Sequence, residues 1–366
     1  MNKKILKDRN KIKIFVGGAP LNMNDMICDV LRNEGFDAWV EGGNRSYLSA
    51  DVIFLPSDAN QLYIVDNYVK EKGQKPLTIL WQIDPLLPPA MPKQAEDIGF
   101  SIINMNWRKI LKGRTGHFAQ KYMPLGRESM RLIQYFLSKR INKILINSGL
   151  EKYGICPSKE WHRVMRRYIS FLQYKDLIDF LFTTTLAKQK FLSNKGFNAE
   201  FIPFAYHHSF GEDMNLDRDI DVLFLGRLNN TRRKKIIRNL SQKLQKDKIR
   251  LTVVDNNCYG KQRTELLSRS KISIDLPRVP WDFGIERFIM SMSCGCLVTS
   301  EISEDTSPFI TGTHFVSTDE TNFAPVIKHY LQNNVERNAI TQAASHFVRK
   351  ECTLQKSICH IIERVF

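Results

Sequence analysis

Between Leu276 and Arg287 the stretch LPRVPWDFGIER gathers Arg278, Asp282, Glu286 and Arg287 around Gly284. A planar guanidinium at a helix start makes charge-assisted hydrogen bonds to phosphate oxygens, and the free backbone N–H groups there favour the same anions. The competing role for Arg287 is a surface salt bridge with Asp282 or Glu286. Gly226 and Arg227 follow another apolar run: the missing side chain lets a phosphate approach the backbone while Arg227 neutralises it, unless the glycine only serves a turn. Arg232, Arg233 and Lys234 come next, one within reach of a diphosphate and the others solvated. Asn256, Asn257 and Tyr259 can meet the base of a nucleotide, with turn chemistry as the alternative. Asp84 closes the run LTILWQI and is the candidate general base for a hydroxyl proton, against a plain Asp-Pro turn. His117, His207 and His208 are the other candidates for that proton.

Such side chains need strands that end at one rim. Lys11 to Val16, Ala38 to Val40, Asp51 to Leu55 and Leu77 to Ile83 read as strands separated by helices near Asn24 to Glu34 and Gln61 to Lys72, with Asn24 as an N-cap. Asp179 to Thr183, Ala187 to Lys195 and Glu200 to Pro203 add a strand, a helix and a strand. Asp221 to Leu225 restarts the pattern and is followed by a helix over Thr231 to Leu244, a strand over Leu251 to Val254 and a helix within Tyr259 to Ser270. In Lys271 to Glu301 the alternating Ile272, Ile274 and Leu276 predict a strand. Ile285, Phe288, Ile289 and Met292 predict an amphipathic helix that stops at Gly295, and Cys296 to Thr299 a buried strand. That is a βαβ unit whose loop lies where α/β proteins place ligands. His314 to Ser317, a helix over Asn322 to Leu331 and one or two helices from Val335 to Phe366 complete two successive parallel-sheet domains.

Length and charge agree. With 366 residues, 43% hydrophobic and 25% charged, the chain suits two folded domains. No window approaches the roughly 18 apolar residues of a membrane span, and no apolar run of signal-peptide length precedes the first strand. The expected location is cytoplasmic, with a peripheral position on the inner face of the plasma membrane. Seven cysteines without paired CxxC spacing read as reduced, mostly buried thiols rather than a zinc site. The net charge is +16, and residues 108–175 hold sixteen Lys or Arg against three Glu, a local excess of thirteen. This basic, aromatic-rich segment points to an anionic membrane surface or to nucleic acid; the plainer explanation is aromatic residues in the core and cations in solvent.

DVLFLGRLNN followed by Arg232-Arg233, then ISIDLPR, then RFIMSMSCGCLVTSE, and last YLQNNVERNAI resemble, in that order, the carboxyl-terminal half of GT-B glycosyltransferases. The likeness is greatest to the group 1-related set that includes the spore-maturation CgeB-like proteins. It covers roughly residues 180–360, and FLFTTT, KQKFLSNKGF, FIPFAY and LWQIDP resemble the family's approach to its linker and a strand end.

The resemblance implies a GT-B fold, two Rossmann-like domains facing a central cleft, with the terminal helix crossing back to the first. Residues 1–205 would form the acceptor domain with a basic helical insertion at about 108–175, 206–220 the linker, 221–345 the donor domain and 346–366 a helical tail. It implies transfer of a sugar from a nucleotide sugar to a hydroxyl of an envelope glycan or lipid-linked acceptor. No cofactor or metal ion is implied beyond that co-substrate, and no DxD-like pair is placed to hold a metal. Asp282 takes the place of the acidic residue that faces the donor sugar, and Arg287 keeps the family's arginine. Met290 stands where relatives carry the glutamate that binds the donor ribose, which leaves a noncatalytic binding protein as an alternative. A transferase acting on modified DNA is another, its basic segment bound to phosphates.

Overall fold

The computed structural model describes residues 9–19, 21–41, 45–87, 159–228, 231–255, 258–277, 279, 281–303 and 305–366. Its first sheet holds β1 (Lys13–Val16), β2 (Asp37–Val40), β3 (Val52–Leu55), β4 (Leu77–Gln82), β5 (Phe180–Thr183) and β6 (Glu200–Phe201). All neighbours are parallel in the order β2-β1-β3-β4-β5-β6, with Ile14 beside Val52 and Trp81 beside Phe182. Every residue of β3 is buried, as a strand covered on both faces requires. The covering helices are α1 (Leu21–Asn33), α2 (Tyr63–Lys72), α3 (Lys159–Tyr174) and α4 (Leu186–Asn194).

The second sheet is built from β7 (Ile220–Leu225), β8 (Leu251–Val254), β9 (Ser270–Asp275), β10 (Leu297–Glu301) and β11 (Val316–Thr318), parallel in the order β11-β10-β9-β7-β8. Helices α5 (Thr231–Lys246), α6 (Gly260–Ser268), α7 (Ile285–Ser293), α8 (Phe323–Gln332), α9 (Asn334–His346) and α10 (Leu354–Val365) belong to this half of the sequence. Two parallel sheets therefore stand where the alternating periodicity places them.

Helix α10 leaves its own half. Ile358, Ile361 and Ile362 are buried in one cluster with Ile27 and Leu31 of α1. Ser357 Oγ donates to Pro203 O at 2.8 Å, and Phe366 stacks on Phe36 at 5.5 Å. The same cluster joins Val16 and Phe182 of the first sheet to Phe283, Phe288 and Met292 around α7. Burial on both sides makes α7 a shared wall of the two halves.

Three expectations change in detail. Asn24 does not cap α1: the helix starts at Leu21, and the buried Asn24 side chain donates to Ala19 O at 3.0 Å. In α3, Val164, Met165, Tyr168 and Phe171 are buried in the first domain's cluster, so the apolar face of this basic helix is taken up by the fold. Residues 108–158 of the basic segment lie outside the described residues. The expected linker is tied down along part of its length, because Arg218 reaches Asp213, Ser270 O and Cys294 O.

Candidate active site

A cleft of about 460 Å³ opens where the carboxyl ends of the two sheets face each other. The first half contributes Asp84, Arg163, Arg167 and Lys188 to its lining. The second half contributes Arg227, Asp282, Gly284, Glu286 and Arg287. Residues distant in sequence thus share one site because every strand is parallel and ends at the same rim.

Strand β9 delivers Asp275 to that rim, and the chain loops to Gly284 before α7 begins. Arg287 lies in the first turn of α7. Its Nε pairs with the Asp275 carboxylate and its Nη2 donates to Leu276 O at 3.0 Å. The salt bridge anticipated with Asp282 or Glu286 is thus made with Asp275 instead. Gly284 is required for this packing: a Cβ there would lie 2.7 Å from Arg287 Nη2 and 3.1 Å from Asp275 Oδ1. The guanidinium is held with its Nη1 toward Gly226, 3.7 Å from where a Cβ of that residue would stand.

The basic cluster of α5 divides. Arg232 pairs with Glu301 at the end of β10, and burial pushes the Glu301 carboxyl above its ordinary range despite that partner. Arg233 is 1% exposed and lies beneath the loop it follows, its Nη1 3.4 Å from Arg227 O. It is neither solvated nor part of the cleft lining. Arg227 is exposed and lines the cleft. Asp255, at the end of β8, shapes the same loop by accepting from Leu228 N at 2.5 Å. Tyr259 is 63% exposed and does not line the cleft, whereas Asn256 and Arg278 lie outside the described residues.

On the opposite wall Asp84 follows β4, and its Oδ1 is 2.9 Å from Arg167 Nη2. The Nε of the same guanidinium meets Asp58 Oδ2 at 2.9 Å, so two carboxylates share one arginine. Burial holds the Asp58 carboxyl above its usual range, the Arg167 cation opposes this, and the Asp84 charge adds to it. The His207 and His208 rings lie 4.0 Å apart, tilted by 42°, on the segment after β6 and do not line the cleft. His117 lies outside the described residues.

Asp282 is buried and faces Lys188 of α4, Nζ to Oδ2, at 3.0 Å. Lys188, Arg167, Asp58 and Asp255 were not singled out from sequence. The usable signal was position: Asp255 and Lys188 follow strand ends, as Asp84 does. Met290, at the position of the family glutamate, is half-buried between two apolar clusters and does not line the cleft.

Residues 232–363 match the family described as glycosyl transferase-like. That match lies within the second half of the chain. Among solved structures, sucrose-phosphate synthase from Thermosynechococcus elongatus is similar over 97% of this chain and 98% of its own, with a TM-score of 0.58 at 10% identity. Anabaena HepE in complex with UDP and glucose gives a TM-score of 0.50 at 10% identity over 97% of this chain and 99% of its own. TarM of S. aureus gives 0.50 at 8% identity, covering 86% of this chain and 54% of that protein. No curated protein matches the chain significantly. The chain shares the two-domain GT-B fold of these structures, and its second half resembles the glycosyl transferase-like family. Among the described residues, no helix is long and apolar enough to cross a membrane.

Proposed function

We propose that the protein is a glycosyltransferase that takes a sugar from a nucleotide-sugar donor bound to the second domain. It transfers that sugar, without a metal ion, to a hydroxyl of an envelope glycan or lipid-linked acceptor entering along the first domain. One observation carries the reading: a single cleft sets the Asp84 carboxylate on one wall against Arg227, Arg287 and the start of α7 on the other. The acceptor oxygen attacks the anomeric carbon, and its proton passes to Asp84. The bond from that carbon to the diphosphate breaks, and the leaving group keeps the electron pair. Its charge is met by the two guanidinium groups and by the amino-terminal dipole of α7. That HepE was solved with UDP and glucose supports a nucleoside diphosphate as the leaving group.

The acceptor side suits an anionic surface. Arg163 and Arg166 stand on the exposed side of α3, and the protein carries a net charge of +16. Peripheral attachment to the inner membrane face through this basic region is part of the proposal.

The test is to incubate the full-length protein with UDP-, GDP- and CMP-linked sugars in EDTA, measuring nucleotide release and thermal shift. Binding to at least one donor with metal-independent release is expected. No binding and no release with any of them would favour a noncatalytic binding protein. Strongly salt-dependent binding to duplex DNA, absent with anionic liposomes, would move the acceptor to DNA.

A further inference from the structure

Among the described residues, Lys188 and Asp282 form the most enclosed ion pair, their side chains 3% and 2% exposed. The pair joins the two halves of the protein. Lys188 belongs to the first turn of α4, just after β5, and Asp282 to the loop after β9. An ammonium at this end of a helix faces the positive pole of the dipole, and burial adds a desolvation cost. The Thr184 and Thr185 hydroxyls, 3.0 and 3.3 Å from Nζ, offset only part of that cost. Its main counterion is not saturated. Oδ2 has only the ammonium at 3.0 Å, and among the described residues Oδ1 has no hydrogen-bond partner, although both are buried and the residue lines the cleft. A carboxylate accepts several hydrogen bonds, and a buried one lacking them awaits a donor.

We propose that Lys188 is a positioning residue for sugar transfer: it fixes the Asp282 carboxylate across the domain boundary, leaving Oδ1 to accept a hydrogen bond from a hydroxyl of the donor sugar. The loop that carries Asp282 is held to the first domain at two further points. Trp281 Nε1 donates to Leu86 O at 2.9 Å, and Val279 is buried in the first domain's cluster. The sugar subsite is therefore complete only with both halves in contact, whereas Arg227 and Arg287 bind the diphosphate from the second half alone. This inference rests on the transferase reading above.

Full-length Lys188→Met and Lys188→Arg are to be compared with the wild type by calorimetry, using UDP, GDP and their hexose conjugates, and by kcat and KM for nucleotide release. For whichever base the wild type binds, Lys188→Met is expected to hold the free diphosphate within about twofold. Its affinity for the sugar conjugate should fall roughly 10- to 100-fold, with partial rescue by Lys188→Arg. Equal loss for both ligands, or no loss for either, overturns the positioning role and leaves the transferase reading standing. A wild type that binds and turns over none of the donors overturns both. Should Lys188→Met not fold, the charge-neutral double variant Lys188→Met with Asp282→Asn replaces it, and wild-type affinity for the conjugate in that protein refutes the inference.

Discussion

Replacing Gly284 by alanine adds one carbon at the crowded entrance to α7. That carbon would stand 2.7 Å from Arg287 Nη2 and 3.2 Å from its Cζ, inside van der Waals contact, so the guanidinium must shift. Asp275 cannot follow, because its side chain is 2% exposed and its strand is fixed between β7 and β10. The backbone is not the obstacle: Gly284 has φ −89°, which alanine tolerates, and the lost chain entropy of the unfolded state favours the variant by about 0.4–1 kcal/mol. Weakening the Arg287 to Asp275 pair opposes this by about 1–3 kcal/mol, so the net loss of stability is at most about 2.6 kcal/mol. In the proposed donor site, displacing the guanidinium would also remove a charge-assisted hydrogen bond to the diphosphate, about 1.5–3 kcal/mol, or about 10- to 150-fold in Kd. Calorimetry with the wild-type nucleotide, alongside thermal unfolding, separates the two effects. A folded Gly284→Ala protein with wild-type affinity would show that Arg287 does not contact the diphosphate.

Asp84→Asn keeps the shape beside Arg167 but removes the proposed proton acceptor; kcat should fall at least about 100-fold with donor Kd within about twofold, as steady-state rates and calorimetry will show. Phe288 is fully buried and meets Phe283, Phe309 and Phe315 at 5.3, 5.6 and 4.9 Å. Phe288→Ala should cost about 3–5 kcal/mol in denaturant unfolding, and a loss below about 1 kcal/mol would contradict the shared core around α7. The Asp58 carboxyl, raised above its ordinary 3.8 by burial, keeps a proton in the folded protein after the unfolded chain has released it. Stability from this group therefore falls as pH rises from 3.8 through the raised folded value, and Asp58→Asn should remove that slope. Identical slopes in urea titrations of the two proteins would exclude this.

The element order was legible in the sequence because periodicity is a local property. Ile272, Ile274 and Leu276 alternate, and Ile285, Phe288, Ile289 and Met292 recur at helical spacing, whatever the rest of the chain does. Gly295 and Gly73 mark helix ends because both adopt left-handed backbone angles, φ 73° and 70°, which other residues resist. The same local signals placed Asp84 and Arg287 at strand and helix ends, hence at the rim where parallel sheets bind ligands.

Which charge meets which was decided only by the tertiary structure. Arg287 turned from its near neighbours Asp282 and Glu286 to Asp275, because the buried strand end presents a carboxylate against which Gly284 leaves room. Arg167, one cation in a basic run, reached Asp58 across 109 residues of sequence and took Asp84 as well. Arg233 went inside on the same helical face as the buried Ile236, Ile237 and Leu240, where charge alone had suggested solvent, and Met290 went into apolar packing. Lys188 meets Asp282 only because the rims of the two sheets face each other in the assembled fold. Hydrophobic spacing specifies elements one at a time, whereas ion pairing depends on distance and desolvation in the assembled fold.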